Sequence, residues 1–151
     1  MLRRIIAFVV AVAVLVILGS ITQSLVVQHA WSVAAGHADG GAPVGIPYAD
    51  RMAWIAHDFA GIFVSYGGVT AGTLLVALLV AGWLVRFTGH RVVVYGVASI
   101  AGIFTLFMLL RRLLGTVGIF GVRGAIGLSS QMAIALVAGL LFAYLTRQRT
   151  A

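Results

Sequence analysis

Asp58 is the acid nearest the long apolar runs of this chain, and the stretch around it, HDFAGIFVSYGGVTAG from His57 to Gly72, holds the most unusual spacing. Read as a helix, Asp58, Gly61, Ser65, Gly68 and Gly72 recur at intervals of three and four, so they share one small, polar face headed by a carboxylate. Such a face belongs inside a helix bundle. A carboxylate at membrane depth costs roughly 2.5–3.5 kcal/mol unless it is paired or wetted. Arg112 and Arg123 fall at the matching height, so at least one of them is expected to bond Asp58, with Gln23 and Gln131 completing the network.

The heights come from counting along each helix. At about 1.5 Å per residue, Gln23 stands about 28 Å from Arg4, Tyr66 about 30 Å from Arg86 and Gln131 about 24 Å from Arg147. With hydrocarbon about 30 Å thick, these groups gather in one leaflet, the outer one in the orientation argued below. Helical phase adds Ser20 and Ser24 to the Gln23 face, and places Gly102, Thr105 and Arg112 on one face of a third span. In a fourth, Arg123, Gly127, Ser130 and Gln131 align. An unbroken helix puts Asp58 about 42 Å from Arg86, which would lift it into the headgroups, where pairing counts for little.

Such a cluster supports two readings. As a polar seam it fixes helix register; as an open site it holds an amphiphile, with arginine on an anionic headgroup. Catalysis on His57 and Asp58 lacks a nucleophile and an oxyanion arrangement, so no enzyme is expected. His29, His37 and His57, with Asp39 or Asp50, are the available metal ligands, but their spacing matches no compact motif. Neither metal nor other cofactor is expected. The absence of cysteine excludes thiolate and disulfide chemistry.

These groups must be positioned by an integral membrane protein. The chain is 62% hydrophobic and only 9% charged over 151 residues, far from the roughly 25% charged residues of soluble domains. Its net charge of +7 comes entirely from arginines, mostly at the ends of apolar runs, where they anchor spans; no nucleic-acid partner is implied. Four spans are expected, at about 5–27, 59–85, 92–110 and 122–145. The first resembles a secretory signal peptide in its basic start, but it is long and no A-x-A-like site follows it.

Residues 28–58 read as an extramembrane loop, rich in glycine and holding both prolines. It ends in a short interfacial helix from about Tyr48, with Met52, Ile55, Phe59 and Ile62 on its apolar face. Gly115, Gly118 and Gly121 mark about 113–121 as loop or broken backbone. The whole chain is therefore one membrane domain, an antiparallel four-helix bundle.

Arginine bias orients it. Both termini in the cytoplasm place Arg3, Arg4, Arg86, Arg91, Arg147 and Arg149 inside, against Arg51, Arg111, Arg112 and Arg123 outside, where Asp39, Asp50 and Asp58 also lie. The inner halves of the spans offer almost no polar groups of their own.

Gly19-Ser20 with Gln23, Asp58-Phe59-x-Gly61 with Tyr66, and Arg123-Gly124-x-x-Gly127 with Gln131 resemble a pattern in small bacterial four-span inner-membrane proteins. That resemblance implies a four-helix fold in the inner membrane and no particular activity. The expected role is an accessory or scaffolding subunit in contact with lipid and with other membrane subunits. The alternative is an outer-leaflet protein that binds or transports a lipid or amphiphile at the Asp58, Arg112, Arg123, Gln23, Gln131, Ser130, Tyr66 cluster.

Overall fold

The computed structural model describes residues 2–38, 40, 42–114 and 124–147; the side chains of residues 38, 62–65 and 114 are also outside the description. The described residues form four helices: α1 (Leu2–Ala38), α2 (Tyr48–Thr88), α3 (Arg91–Leu114) and α4 (Ala125–Leu145). All four are long and apolar enough to cross a membrane. Each helix packs against its neighbours in sequence, and α1 closes the ring on α4. The result is an antiparallel four-helix bundle with Leu2 and Arg147 at one end and the α1–α2 loop at the other.

The local causes are legible in the chain. Aliphatic runs without proline sustain helix, and in lipid a helix is the form that satisfies its own backbone. Between α2 and α3 the chain reverses at Gly89, whose φ of 71° lies in the left-handed region and whose N–H caps the carbonyl of Val85. At the core, Leu15, Leu74, Ile103 and Phe107 are wholly buried, and Ala11, Ala81, Ala135 and Ala138 let the backbones approach. Outward faces carry apolar side chains such as Val9, Leu79, Val97 and Val137, as a lipid-facing surface requires.

The helix lengths are unequal, and this departs from expectation. α1 has 37 residues and α2 has 41, against 24 in α3 and 21 in α4. At about 1.5 Å per residue the first pair spans roughly 55–60 Å and the second roughly 30–36 Å. α1 and α2 therefore continue beyond the bundle as a helical hairpin. Residues 28–38, expected to be loop, extend α1, and the segment expected as an interfacial helix from Tyr48 runs without a break into the second span. Tertiary contacts explain the extension. Gln28 Nε2 donates to the carbonyl of Arg51 (3.2 Å), and the Trp31 and Trp54 rings meet edge to face at 5.6 Å. The returning chain is tied to α1 by Val44 N–H to Ser32 O (3.1 Å) and Ser32 Oγ to Val44 O (2.5 Å). Only the segment holding Pro43 and Pro47 leaves the helix, and Pro47 directly precedes α2, where its missing N–H does no harm. The expected loop at 113–121 and the start of the fourth span at 122 fall largely outside the described residues.

Candidate functional site

Two polar side chains of the loop-side half, Tyr66 and Gln131, meet over the Gly19 carbonyl. Tyr66 of α2 donates its hydroxyl to Gln131 Oε1 of α4 at 2.8 Å, and Gln131 Nε2 donates to the backbone carbonyl of Gly19 in α1 at 3.1 Å. Both side chains are buried. Gly19 is there because nothing larger fits: a Cβ on it would stand 2.6 Å from Tyr66 Oη and 3.2 Å from Gln131 Oε1. One amide thus joins three helices. Each such interhelical bond contributes on the order of 0.6 kcal/mol.

Above this junction α1 buries a polar stripe. Ser20, Gln23, Ser24 and Gln28 are all buried, and Gln28 Nε2 also lies 3.2 Å from Ser24 Oγ. Among the described residues, Ser20 Oγ, Gln23 Oε1 and Gln28 Oε1 have no hydrogen-bond partner. Ser130 is partly exposed and turns its hydroxyl back to the Ile126 carbonyl of its own helix at 2.7 Å, rather than joining the junction.

The charged half of the expected cluster does not assemble. Asp58 is half-buried and, among the described residues, takes part in no ion pair. Height is the reason. Gly102 packs on Ala77 and Thr73, so ten residues further along α3 Arg112 stands level with the middle of the 62–68 segment, roughly 10 Å below Asp58 along α2. Arg112 is exposed at its own level, and Arg123 lies outside the described residues.

The Asp58 face also points the other way. Gly61, Gly68 and Gly72 are exposed, and a Cβ on any of them would meet no atom within 4 Å; the Ser65 side chain is outside the description. The bundle packs Tyr66, Thr70, Leu74, Ala77, Leu78 and Ala81 inward instead. Both stripes have helical spacing, and the larger apolar one occupies the core. Where the small-residue face meets α3 it borders a groove of about 930 Å³ lined by Gly68, Gly72, Val76, Ala101, Gly102 and Thr105 among others.

His29, His37 and His57 are exposed, with His37 Nδ1 at 2.8 Å from the Val33 carbonyl oxygen. Among the described residues, no group of three potential metal ligands comes together.

Sequence reasoning missed the polar ties at the terminal end. Arg3 reaches from α1 to α4, with Nε at 2.8 Å from Leu145 O and an Nη at 2.6 Å from Arg147 O. Arg91, first in α3, donates to Thr146 Oγ1 and stands 5.4 Å from the Tyr95 ring centroid. Thr146 in turn donates to Phe142 O at 2.6 Å. Both cations sit at the C-terminal end of α4, where the backbone dipole favours them, Arg3 on carbonyls and Arg91 on the Thr146 hydroxyl. Arginines at span boundaries read as anchors, and nothing in their spacing says which carbonyls they reach.

Fold and site together define a class: an all-α polytopic membrane protein whose helices are locked by a buried amide–phenol junction at one level and arginine ties at another. No protein-family model, curated protein or solved structure matches the chain.

Proposed function

We propose that this protein is a non-enzymatic accessory or scaffolding subunit of a larger membrane assembly, and that the α2–α3 face receives a transmembrane helix of a partner. The observation that carries the reading is the uncovered small-residue face of α2, with its groove of about 930 Å³ against α3. Glycines at helical spacing serve close helix approach, and here the approach is left unused by the described helices. α2 also buries the smallest share of its membrane window, 22% against 33% for each of the others.

The Gly19–Tyr66–Gln131 junction supports a structural rather than catalytic role. Its donors and acceptors satisfy one another, and Gly19 leaves no space for a reacting group between them. Kinship with small four-span bacterial proteins, residence in the inner membrane and cytoplasmic termini belong to the same proposal. They rest on the motif residues quoted above and on the arginine excess at the end bearing Leu2 and Arg147.

Site-directed photocrosslinking in native membranes tests it. A photoreactive residue at Val76, in the groove, is expected to yield one protein adduct of defined mass, lost in Gly72→Leu. The same probe at Val137, on the lipid-facing side of α4, is expected to yield none. Lipid adducts alone from Val76, or an adduct indifferent to Gly72→Leu, would overturn the subunit reading.

A further inference from the structure

A second cavity, of about 600 Å³, opens at the terminal end between α1 and α2 and reaches Phe142 and Thr146 of α4. Its chemistry is divided. Arg4, Arg86 and Arg91 line it at the ends of their helices, while Phe8, Leu75 and Leu79 line it further along the helix axes, with Leu75 and Leu79 at its open, lipid-facing edge. Arg86 and Leu75 are eleven residues apart on α2, so the apolar part extends roughly 16 Å below the guanidinium level.

Among the described residues, none of the three arginines takes part in an ion pair. The chain's only acids, Asp39, Asp50 and Asp58, lie in sequence around the opposite loop. Arg4 and Arg86 are exposed at the mouth. Arg91 is held in place by Thr146 and Tyr95 where it lines the cavity. A fixed guanidinium, flanked by two more cations above an apolar slot, complements a particular kind of molecule. The ligand must carry an anionic head with several acceptor oxygens and a hydrocarbon tail.

We infer that this cavity binds one anionic phospholipid, its phosphate held by Arg4, Arg86 and Arg91 and an acyl chain lying on Phe8, Leu75 and Leu79. The volume falls within the range of small-molecule sites. The site is independent of the α2–α3 groove, since it lies between α1 and α2 and uses other residues. It is also at the opposite end of the bundle from the polar cluster that the sequence singled out.

The test uses the full chain purified in detergent, with bound lipid counted by native mass spectrometry during titration. The probes are dioleoyl phosphatidylglycerol, dioleoyl phosphatidylcholine and inorganic phosphate. Phosphatidylglycerol is expected to bind about tenfold more tightly than phosphatidylcholine, and Arg4→Gln/Arg86→Gln is expected to remove about that factor. This double variant leaves the Arg91–Thr146 tie intact, so folding is not at issue. Leu79→Trp, which fills the apolar slot, is expected to weaken phosphatidylglycerol binding with every arginine in place. Arg111→Gln/Arg112→Gln makes the same charge change at the other end and is expected to leave binding within twofold. Equal loss in that control, equal retention of phosphatidylcholine, or saturation by inorganic phosphate as tight as by phosphatidylglycerol would each overturn the assignment.

Discussion

The two ends of this bundle are fastened by different chemistry. On the loop side, three helices meet through neutral groups, Tyr66, Gln131 and the Gly19 carbonyl, buried and bonded to one another. At the terminal end, Arg3 and Arg91 tie α1 and α3 to the last turn of α4 through charge-assisted bonds, partly open to solvent. Neutral bonds inside hydrocarbon hold because the alternative is an unpaired polar group in lipid. Charged ties at the surface compete with water at every moment. The buried junction should therefore govern stability, and the arginine ties should govern how the end is presented.

The comparison can be broken at several points. The largest effect is expected where a close approach has no slack. At Gly139, in the terminal-end half of the α3–α4 seam, a Cβ would stand 2.6 Å from the backbone oxygen of Tyr95, and backbone cannot rotate aside. Gly139→Val should cost about 1–3 kcal/mol and lower the thermal midpoint in detergent more than any change below. An unchanged midpoint would mean the two helices are further apart than described.

Gln131→Leu comes next. It removes both bonds and leaves the Tyr66 hydroxyl buried without an acceptor, a loss of about 1–2 kcal/mol. Tyr66→Phe removes one bond while Gln131 keeps its hold on Gly19, so about 0.6 kcal/mol is expected. If the tyrosine change were the more damaging of the two, the amide would not be the centre of the junction. Arg3→Gln should move the midpoint less than Tyr66→Phe, because Arg3 is exposed; a larger shift would invert the ranking of the two ends. Smallest of all, Asp58→Asn should stay within about 0.5 kcal/mol of the parent and match Asp50→Asn, as an acid outside any ion pair should. A clear drop for Asp58→Asn alone would restore a charged partner for it.

Much of the architecture was legible because it rests on length and solvent. Runs such as 92–110 admit one form in lipid, so the number of spans followed from composition, and the boundaries at Arg86 and Arg91 from their charge. The shared level of Tyr66 and Gln131 was legible too, since counting residues along a helix measures height. Rotation was not. Asp58, Gly61, Gly68 and Gly72 share a face with the spacing of a buried stripe, yet Tyr66, Thr70, Leu74 and Ala77 offer the core more apolar surface and occupy it. A hydropathy pattern cannot rank two stripes when both lipid and core are apolar.

Residues 28–38 failed for another reason. Their composition carries a glycine, two histidines and no clean period, and what keeps them helical is contact with α2 and the returning loop at Gln28, Ser32 and Trp31. The arginine ties were hidden because a guanidinium at a span boundary has many carbonyls within reach, and only the packed helices select among them.

The continuity of α2 from Tyr48 to Thr88 has a structural consequence. From its exposed tip to its last turn α2 is one unbroken helix, with α1 packed alongside. The tip that meets the Trp31 ring through Trp54 and the turn that ends at Gly89 therefore belong to one uninterrupted element.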